Sequence, residues 1–399
     1  MSNSAPRKKE NSIFLAGIVS LTLFALFCFG TYFSSPAAAS QSSHLAALFR
    51  LSSEDILDEE TNLYIRGNVS STGLDTLDAP VNDIWQSDLR YSYPASGGAG
   101  AVIYIVDTGI ESLFAFGDRL MPGYSADGGS NDGRNDCEGH GTAVASVAAS
   151  HVGVAPKATI VPVQVKKCDS ESFDTNALAE GIRWVIANHN YSTTGIINIS
   201  SALQIGDGFD GETTDASDAI VEALDAGFFV VQSAGNNSNP KGGEKSRFVN
   251  KSVATTVVDA CQVGQSNNEG LFTVGSYSFE EGKGSRAAFS NSGGCVDIWA
   301  PGSKVETLNL DGDIEFSSGT SFSAPMVAGV AALIVGEYPS ISASEIKEKI
   351  LDTSGDGNLS SGMEPFDANT RYYNDGEEMI IVTVSSRTTE QVLRIPAKY

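Results

Sequence analysis

Basic residues and histidines are scarce in this 399-residue chain. Lysine and arginine number 25 against 49 aspartates and glutamates, so the formal net charge is −24. Because a phosphate-binding surface needs a basic surplus, this composition argues against nucleic acid as a partner. With only 4 histidines, few side chains are available as a general base near neutral pH. A hydrophobic share of 41% is enough for a packed core and excludes a wholly disordered chain.

Charge is absent from one long stretch near the N-terminus. Residues 13–33 carry no charge; they follow the basic residues 7–9 and precede three alanines at 37–39. This order is typical of a secretory signal peptide, but an apolar stretch of about 20 residues is also long enough to span a membrane. We therefore expect a signal peptide or N-terminal anchor over residues 1–39. Either form places the rest of the chain outside the cytosol, with a membrane as partner only if the segment is uncleaved.

Cysteine is also rare, with 5 residues in the chain. Cys28 lies inside the uncharged N-terminal stretch, which leaves Cys137, Cys168, Cys261 and Cys295. An even number in an exported chain favours two disulfides, for which three connectivities are open. The spacing along the chain favours pairing each cysteine with its nearest neighbour.

From about residue 78, short β-rich apolar stretches alternate with helical patterns. Ala101–Val106 and Phe228–Gln232 are among the predicted strands, and Ser321–Glu337 is among the predicted helices. Continuous apolar strands separated by helices indicate an α/β fold, with a mostly parallel central sheet covered by helices on both faces. Ligands of such sheets gather at the carboxyl ends of the strands.

The segments outside this pattern set the expected domain limits. Residues 40–77 are polar and acidic and are interpreted as a short prosegment or linker, and residues 375–399 as a short C-terminal tail. One domain is expected between them, over residues 78–374. Within it, residues 238–258 show no clear periodicity of apolar residues, which predicts a long surface loop. The acidic, glycine-rich stretch 127–136 lacks the twelfth-position glutamate of an EF-hand and is interpreted as a solvated loop.

Two polar residues stand out next to these elements. Asp107 directly follows the apolar strand Ala101–Val106, where an acid would lie at the carboxyl end of a buried strand, although Asp-Thr-Gly is also ordinary turn chemistry. His140 lies between Gly139 and Gly141 before an Ala/Val-rich helix, where it is accessible as a general base or serves as a structural or capping histidine. No other histidine in the chain is flanked by glycines in this way.

Two further residues complete a chemical set. Ser321 opens a long apolar helix, where unpaired N–H groups favour developing negative charge, although serine at a helix start is more often an N-cap. Pro325 suits the first turn, where its missing N–H is not needed. Asn236 follows the strand Phe228–Gln232 and either donates to an oxyanion or forms a turn. Together, Asp107, the histidine flanked by glycines, Ser321 and Asn236 match the orienting acid, base, nucleophile and oxyanion donor of covalent catalysis.

Four sequence motifs resemble the signatures of the subtilisin-like serine proteases. They are VDTGI around Asp107, GHGT around His140, SAGNN around Asn236 and GTSFSAP around Ser321. Their order along the chain is the subtilisin order, and the resemblance covers about residues 78–374.

The cysteines resemble those of the proteinase K and aqualysin branch of this family. That resemblance implies the disulfides Cys137–Cys168 and Cys261–Cys295, the same pairs that spacing favours.

The resemblance implies a subtilisin-like three-layer fold and a secreted serine endopeptidase that acts as a monomer on protein or peptide substrates. Ser321 would attack the scissile carbonyl, and His140 would take the proton and pass it to the leaving amine. Asp107 would orient the imidazolium, and the Asn236 amide with the Ser321 N–H would hold the oxyanion. No cofactor is implied for catalysis, and the chain's own prosegment is a further expected partner. The alternative is a catalytically silent binding protein with the same fold.

Two segments are implied to line the substrate cleft. The family's usual Ser-Leu-Gly-Gly substrate strand reads Ser-Ser-Ala-Leu here, so side chains replace two glycines and predict a narrower cleft. The implied substrate-binding residues are Ser200, Ser201, Ala202, Ser233, Ala234 and Gly235.

A structural calcium site is also implied by the resemblance to proteinase K. Asp297 would supply a carboxylate, with the backbone carbonyls of Glu269 and Leu271 as further ligands. Hard oxygen ligands suit calcium. The alternative is that Asp297 closes a buried turn.

Overall fold

The computed structural model describes residues 55–59, 61–67, 69, 73–78, 88–128, 131–169, 175–200, 215–236, 271–280, 283–292, 296–356, 370–374, 379–383 and 391–394. All of them belong to one compact unit, Ser53–Tyr399. The expected signal or anchor segment, the loop 238–258 and the expected pair Cys261–Cys295 lie outside the described residues.

The helices are α1 His140–Ala149, α2 Thr175–Asn188, α3 Asp215–Asp225, α4 Thr320–Glu337 and α5 Ala343–Thr353, with short 3-10 turns at Leu74–Thr76 and Gly117–Arg119. The strands are β1 Asp55–Asp58, β2 Leu63–Gly67, β3 Arg90–Pro94, β4 Val102–Asp107, β5 Tyr124–Ser125, β6 Thr159–Gln164, β7 Ile196–Ile199, β8 Phe229–Ser233, β9 Leu271–Glu280, β10 Lys283–Arg286, β11 Ile298–Pro301, β12 Val305–Leu308, β13 Ile314–Ser317, β14 Gly355–Asp356, β15 Thr370–Asn374, β16 Met379–Thr383 and β17 Gln391–Val392.

One large sheet lies at the centre of the unit. Its strand order is β14-β17-β11-β9-β8-β7-β4-β6-β5, with β10 paired to β9. Its pairs are parallel except for β9 with β10 and β14 with β17. The α/β fold with a mostly parallel central sheet is therefore confirmed.

The side chains of β4 show how helices come to cover both faces of this sheet. Successive side chains of a strand point to opposite faces. Ile103 and Ile105 belong to the core that contains the buried residues of α1, α4 and α5. Val102, Tyr104 and Val106 belong to a second core that contains those of α2 and α3. The result is the expected arrangement of three layers.

Helix α4 is buried on every side. All residues from Thr320 to Val335 are buried, so the helix has no polar face. Among the described helices it alone is long and apolar enough to cross a membrane by length and composition, and 83% of the window concerned is buried inside the protein. That burial is typical of a core helix.

The compact unit extends past the expected limits of residues 78–374 at both ends. Within the expected prosegment or linker, β1 and β2 pair with each other and then with β3. Arg66 of β2 is buried, with its guanidinium 5.7 Å and 5.3 Å from the ring centroids of Tyr91 and Tyr93. Within the expected tail, β17 pairs with β11 and Leu393 is buried in the core. Strands this short show too little alternation of apolar and polar residues to be predicted from sequence.

Candidate active site

Asp107 and His140 meet at the carboxyl edge of the sheet. Asp107 is the last residue of β4 and has a fully buried side chain, whereas the His140 side chain at the start of α1 is 34% exposed. His140 Nδ1 lies 2.7 Å from Asp107 Oδ1, which also accepts the Thr108 N–H at 2.8 Å. Because an ionised carboxylate can only accept, Nδ1 carries the proton, and Nε2 of the neutral ring is left as the basic nitrogen.

Glycines allow this close approach of α1 and the loop after β4. A Cβ atom on Gly141 would lie 2.1 Å from the Gly109 carbonyl oxygen, so no larger residue fits. Gly139 has a φ of 90°, in the left-handed region that favours glycine. The two glycines that flank His140 are therefore required by the backbone.

The charge state of His140 is set by opposing effects. Burial lowers its pKa, but the negative charge and hydrogen bond of Asp107 raise it, as do the charges of Asp136 and Glu138. The carboxylates outweigh the burial, so the pKa of His140 lies above its ordinary value. A protonated imidazole is consequently stabilised at this position.

Asp136 was missed by sequence reasoning, which interpreted residues 127–136 as a solvated loop. Its side chain is buried and lies beneath the start of α1. Oδ1 accepts hydrogen bonds from Thr108 Oγ1 at 2.8 Å and from the Gly139 N–H at 2.9 Å, and Oδ2 accepts the Thr142 N–H at 2.8 Å. The interpretation was therefore wrong at Asp136. Its position four residues before His140 was the available signal, because carboxylates stabilise helix N-termini.

The loop that carries Asp136 is tied by a disulfide to the segment that follows β6. Cys137 and Cys168 are bonded, with Cα atoms 5.7 Å apart, a separation typical of disulfides. This confirms the first expected pair. The bridge fixes the residues just before His140 to the segment after β6.

Ser321 is the second residue of α4 and is 8% exposed. The Phe322 ring that follows it packs beside the His140 ring, with centroids 5.7 Å apart, which places the starts of α1 and α4 next to each other. The first N–H groups of a helix have no partner within it, so Ser321 lies in a region of positive partial charge.

Pro325 is the sixth residue of α4, beyond the first-turn position that the sequence suggested. An N–H at this position would have bonded to the Ser321 carbonyl oxygen in a regular helix. Ser200, just after β7, donates its hydroxyl to that oxygen at 2.8 Å instead, and Asn198 Nδ2 donates to the Ser200 hydroxyl at 2.8 Å. The proline therefore leaves an acceptor that Ser200 satisfies.

Asn236 follows β8 and is held by the start of α4. Its Oδ1 accepts the Thr320 N–H at 2.8 Å and the Thr320 hydroxyl at 2.9 Å. Because a backbone N–H can only donate, the amide oxygen must face Thr320, and Nδ2 keeps its hydrogens for another acceptor. Asn236 is exposed, and a Cβ on Gly319 would lie 3.3 Å from Nδ2. The amide donor thus lies beside the turn that leads into Ser321.

The expected substrate-binding residues are described in part. The buried Ser200 and the strand end Ser233–Gly235 are neighbours, since Ser233 Oγ lies 3.4 Å from the Ser200 carbonyl oxygen. The Gly235 N–H donates to Thr320 Oγ1 at 3.1 Å, which places this segment against the start of α4. Ser201 and Ala202 lie outside the described residues. Substrate binding by these segments stays a prediction.

The residues expected to bind calcium do not fit a divalent cation. Lys347 Nζ donates to the Leu271 carbonyl oxygen at 2.8 Å and to Asp297 Oδ1 at 3.2 Å, so an ammonium group already lies between the two implied ligands. Glu269 lies outside the described residues. Across the part of the chain that the structure describes, no group of three or more His, Cys, Asp or Glu side chains is placed to hold a metal ion.

Comparisons with known proteins agree with this geometry. The chain is 32% identical over 289 residues to the alkaline serine exoprotease A of Vibrio alginolyticus, covering 70% of this chain and 48% of that protein. It is 32% identical over 300 residues to an extracellular serine proteinase of a Thermus species, covering 74% and 64%. The chain thus spans between about half and two-thirds of the length of these curated relatives.

A solved structure shows the same likeness in three dimensions. It is a cold-adapted subtilisin-like serine proteinase, 30% identical, with a TM-score of 0.60 and coverage of 74% of this chain and 94% of that one. The model of the subtilase family matches residues 98–374, which contain Asp107, His140, Asn236 and Ser321. The chain belongs to the subtilase family.

Proposed function

We propose that this protein is an exported serine endopeptidase that hydrolyses peptide bonds through an acyl-enzyme. The observation that carries the proposal is the 2.7 Å contact between His140 Nδ1 and the buried carboxylate of Asp107, beside the helix start that bears Ser321. A fixed carboxylate, a partly exposed imidazole and a serine at a helix N-terminus are the groups that acyl transfer requires.

In the proposed reaction, Ser321 Oγ forms a bond to the scissile carbonyl carbon while His140 Nε2 takes the hydroxyl proton. The C–N bond then breaks, and the same proton passes to the leaving amine. Water hydrolyses the resulting ester with His140 again as the base. Asp107 keeps Nδ1 protonated and stabilises the imidazolium, which agrees with the raised pKa of His140.

The oxyanion would be held by Asn236 Nδ2 and the Ser321 N–H. Two features support this role. The hydrogen bonds from Thr320 fix the orientation of the Asn236 amide before substrate binds. The positive end of α4 favours negative charge at the same point. A donor that is already in position does not have to reorganise during the reaction.

The proposed substrates are proteins or peptides outside the cytosol. The uncharged stretch 13–33 at the N-terminus supports export, and one relative is named an extracellular proteinase. The disulfide Cys137–Cys168 suits an oxidising compartment.

The test is to label the secreted, purified protein with a fluorophosphonate serine probe beside a Ser321→Ala variant, and to read both by intact mass. We expect one adduct on the wild type and none on the variant, with peptide hydrolysis lost in the variant. No adduct on a folded wild-type protein would instead support a catalytically silent binding protein with the subtilase fold. The same spectra would show where the N-terminal segment is cut.

A further inference from the structure

A lysine side chain lies where the sequence resemblance would place a divalent cation. Lys347 Nζ contacts the Leu271 carbonyl oxygen at 2.8 Å and Asp297 Oδ1 at 3.2 Å. It also lies 5.1 Å from the ring centroid of Phe272. A carboxylate, a carbonyl oxygen and a ring face all attract positive charge, so the position is built for a cation.

Helix α5 on one side and the sheet on the other hold these groups in place. The first turn of α5 is fixed by a capping box in which Ser342 and Glu345 each accept from the other's backbone N–H. Ile346 and Ile350 of α5 are fully buried on either side of Lys347 in sequence. The Lys347 side chain is only 22% exposed. A fixed helix therefore delivers the ammonium group, unlike a lysine that moves freely at the surface.

Asp297 is equally fixed. Its Oδ2 accepts the Thr273 N–H at 2.8 Å, and its own N–H donates to the Thr273 carbonyl oxygen at 2.9 Å. One carboxylate oxygen is thus bound to the sheet, and Lys347 takes the other. The single negative charge of Asp297 is balanced within the chain.

An ion and the ammonium group cannot share this position. Calcium needs about six to eight oxygen ligands at about 2.3–2.6 Å, and an ion bound to Asp297 and Leu271 would lie against Lys347 Nζ. The two positive charges would repel each other, and the two oxygens are already hydrogen-bonded. We infer that Lys347 supplies the positive charge at this point of the fold and excludes a divalent cation from Asp297 and Leu271.

The experiment uses the full chain in a Ser321→Ala background, so that autolysis does not interfere. Melting temperatures are measured in EDTA and in calcium chloride for the parent, Lys347→Met and Lys349→Met. Lys349 is the matched control, because it lies on the same helix but stacks on the Tyr338 ring, 4.4 Å from its centroid. Calcium binding is measured by titration calorimetry on the parent and on Asp297→Asn.

We expect Lys347→Met to melt at a lower temperature than Lys349→Met in EDTA, because Asp297 loses its partner. Calcium should raise the melting temperature of Lys347→Met more than that of the parent. The parent and Asp297→Asn should bind the same number of calcium ions.

Three results would overturn the inference. The first is an equal melting temperature of the two lysine variants in EDTA. The second is an equal rise in melting temperature with calcium for Lys347→Met and the parent. The third is one fewer calcium ion bound by Asp297→Asn than by the parent. The last comparison decides the matter even if Lys347→Met does not fold.

Discussion

The two edges of the parallel sheet each carry an aspartate paired with a nitrogen base, and the two pairs differ in kind. At the carboxyl edge, Asp107 ends β4 and holds His140, whose side chain is open to solvent over 34% of its surface. At the opposite edge, Asp297 precedes β11 and holds Lys347. Imidazole changes charge near neutral pH, whereas the ammonium group of lysine stays charged.

The two pairs predict different roles for the two edges. The carboxyl edge gathers groups from separate elements, His140 from α1, Asn236 after β8 and Ser321 from α4, and Asn236 is exposed there. At the amino edge, among the residues that the structure describes, Lys347 joins α5 to the sheet and occupies oxygens of Asp297 and Leu271. The same residue type is therefore expected to serve catalysis at one edge and stability at the other, as the placement of ligands in open α/β sheets suggests.

The largest effect is expected for Asp107→Asn. An asparagine amide would face Nδ1 with a donor and favour the wrong imidazole tautomer, so kcat on a peptide substrate should fall about 10⁴-fold, the size seen for this change in another serine protease. Asp297→Asn is the matched control and should keep kcat while its melting temperature falls. An Asp107→Asn enzyme as active as the control would show that Asp107 has no larger role in catalysis than Asp297.

Asn236→Ala should have the next largest effect. It removes one oxyanion donor and leaves the Asp107–His140 pair untouched, so kcat should fall about 10²–10³-fold with little change in KM, the range found for such a donor in a subtilisin. Labelling by the fluorophosphonate probe should slow as well, because that reaction also places negative charge on an oxygen. A change confined to KM would show that Asn236 only binds substrate.

These effects concern residues that the sequence already singled out, because each belongs to a short local motif. Asp107, His140, Asn236 and Ser321 each lie next to a strand end or a helix start that hydrophobic patterning can locate. The parallel sheet was predictable for the same reason.

The interactions that sequence reasoning missed join distant segments of the chain. The hydrogen bond of Lys347 to Asp297 joins positions 50 residues apart, and that of Ser200 to Ser321 joins positions 121 apart. A lysine on an amphipathic helix is usually exposed, and a polar loop around Asp136 is usually solvated. The sequence around Lys347 resembles that of a surface residue, and the only local signal for Asp136 was its position shortly before α1.

Ser200→Ala tests one such contact. It would leave the buried Ser321 carbonyl oxygen without a donor, which costs about 1–3 kcal/mol and loosens the first turn of α4. We expect kcat to fall about tenfold, the equivalent of about 1.4 kcal/mol, with a lower melting temperature. Ser323→Ala is the control, since Ser323 Oγ donates to the Ala300 carbonyl oxygen at 3.2 Å and not to Ser321. Equal loss of kcat in both variants would mean that Ser200 acts only through stability.

Ser200→Thr should keep most of the activity, because its hydroxyl can still donate to the Ser321 carbonyl oxygen. Rescue of kcat by threonine but not by alanine would locate the effect in that hydrogen bond.

The smallest effect is expected for Glu138→Gln, measured as the acid limb of kcat/KM against pH. The general base must be neutral, and the pKa of His140 is raised, so kcat/KM should reach half of its maximum at a pH above the ordinary histidine value of about 6.5. The charge of Glu138 contributes to that raised pKa. Its removal makes the imidazolium less favourable, and the positive charge of Lys166, no longer offset by Glu138, acts in the same direction.

The acid limb of Glu138→Gln should therefore move to lower pH by a few tenths of a unit, and less in high salt, because exposed charges are screened. Asp132→Asn is the matched control, since Asp132 is exposed to a similar degree and is paired with Arg134, and it is not among the charges that raise the pKa of His140. An acid limb that moves to higher pH, or moves equally in both variants, would show that the carboxylates beside α1 do not set the charge of His140. Asp107 alone would then account for the difference between the two edges.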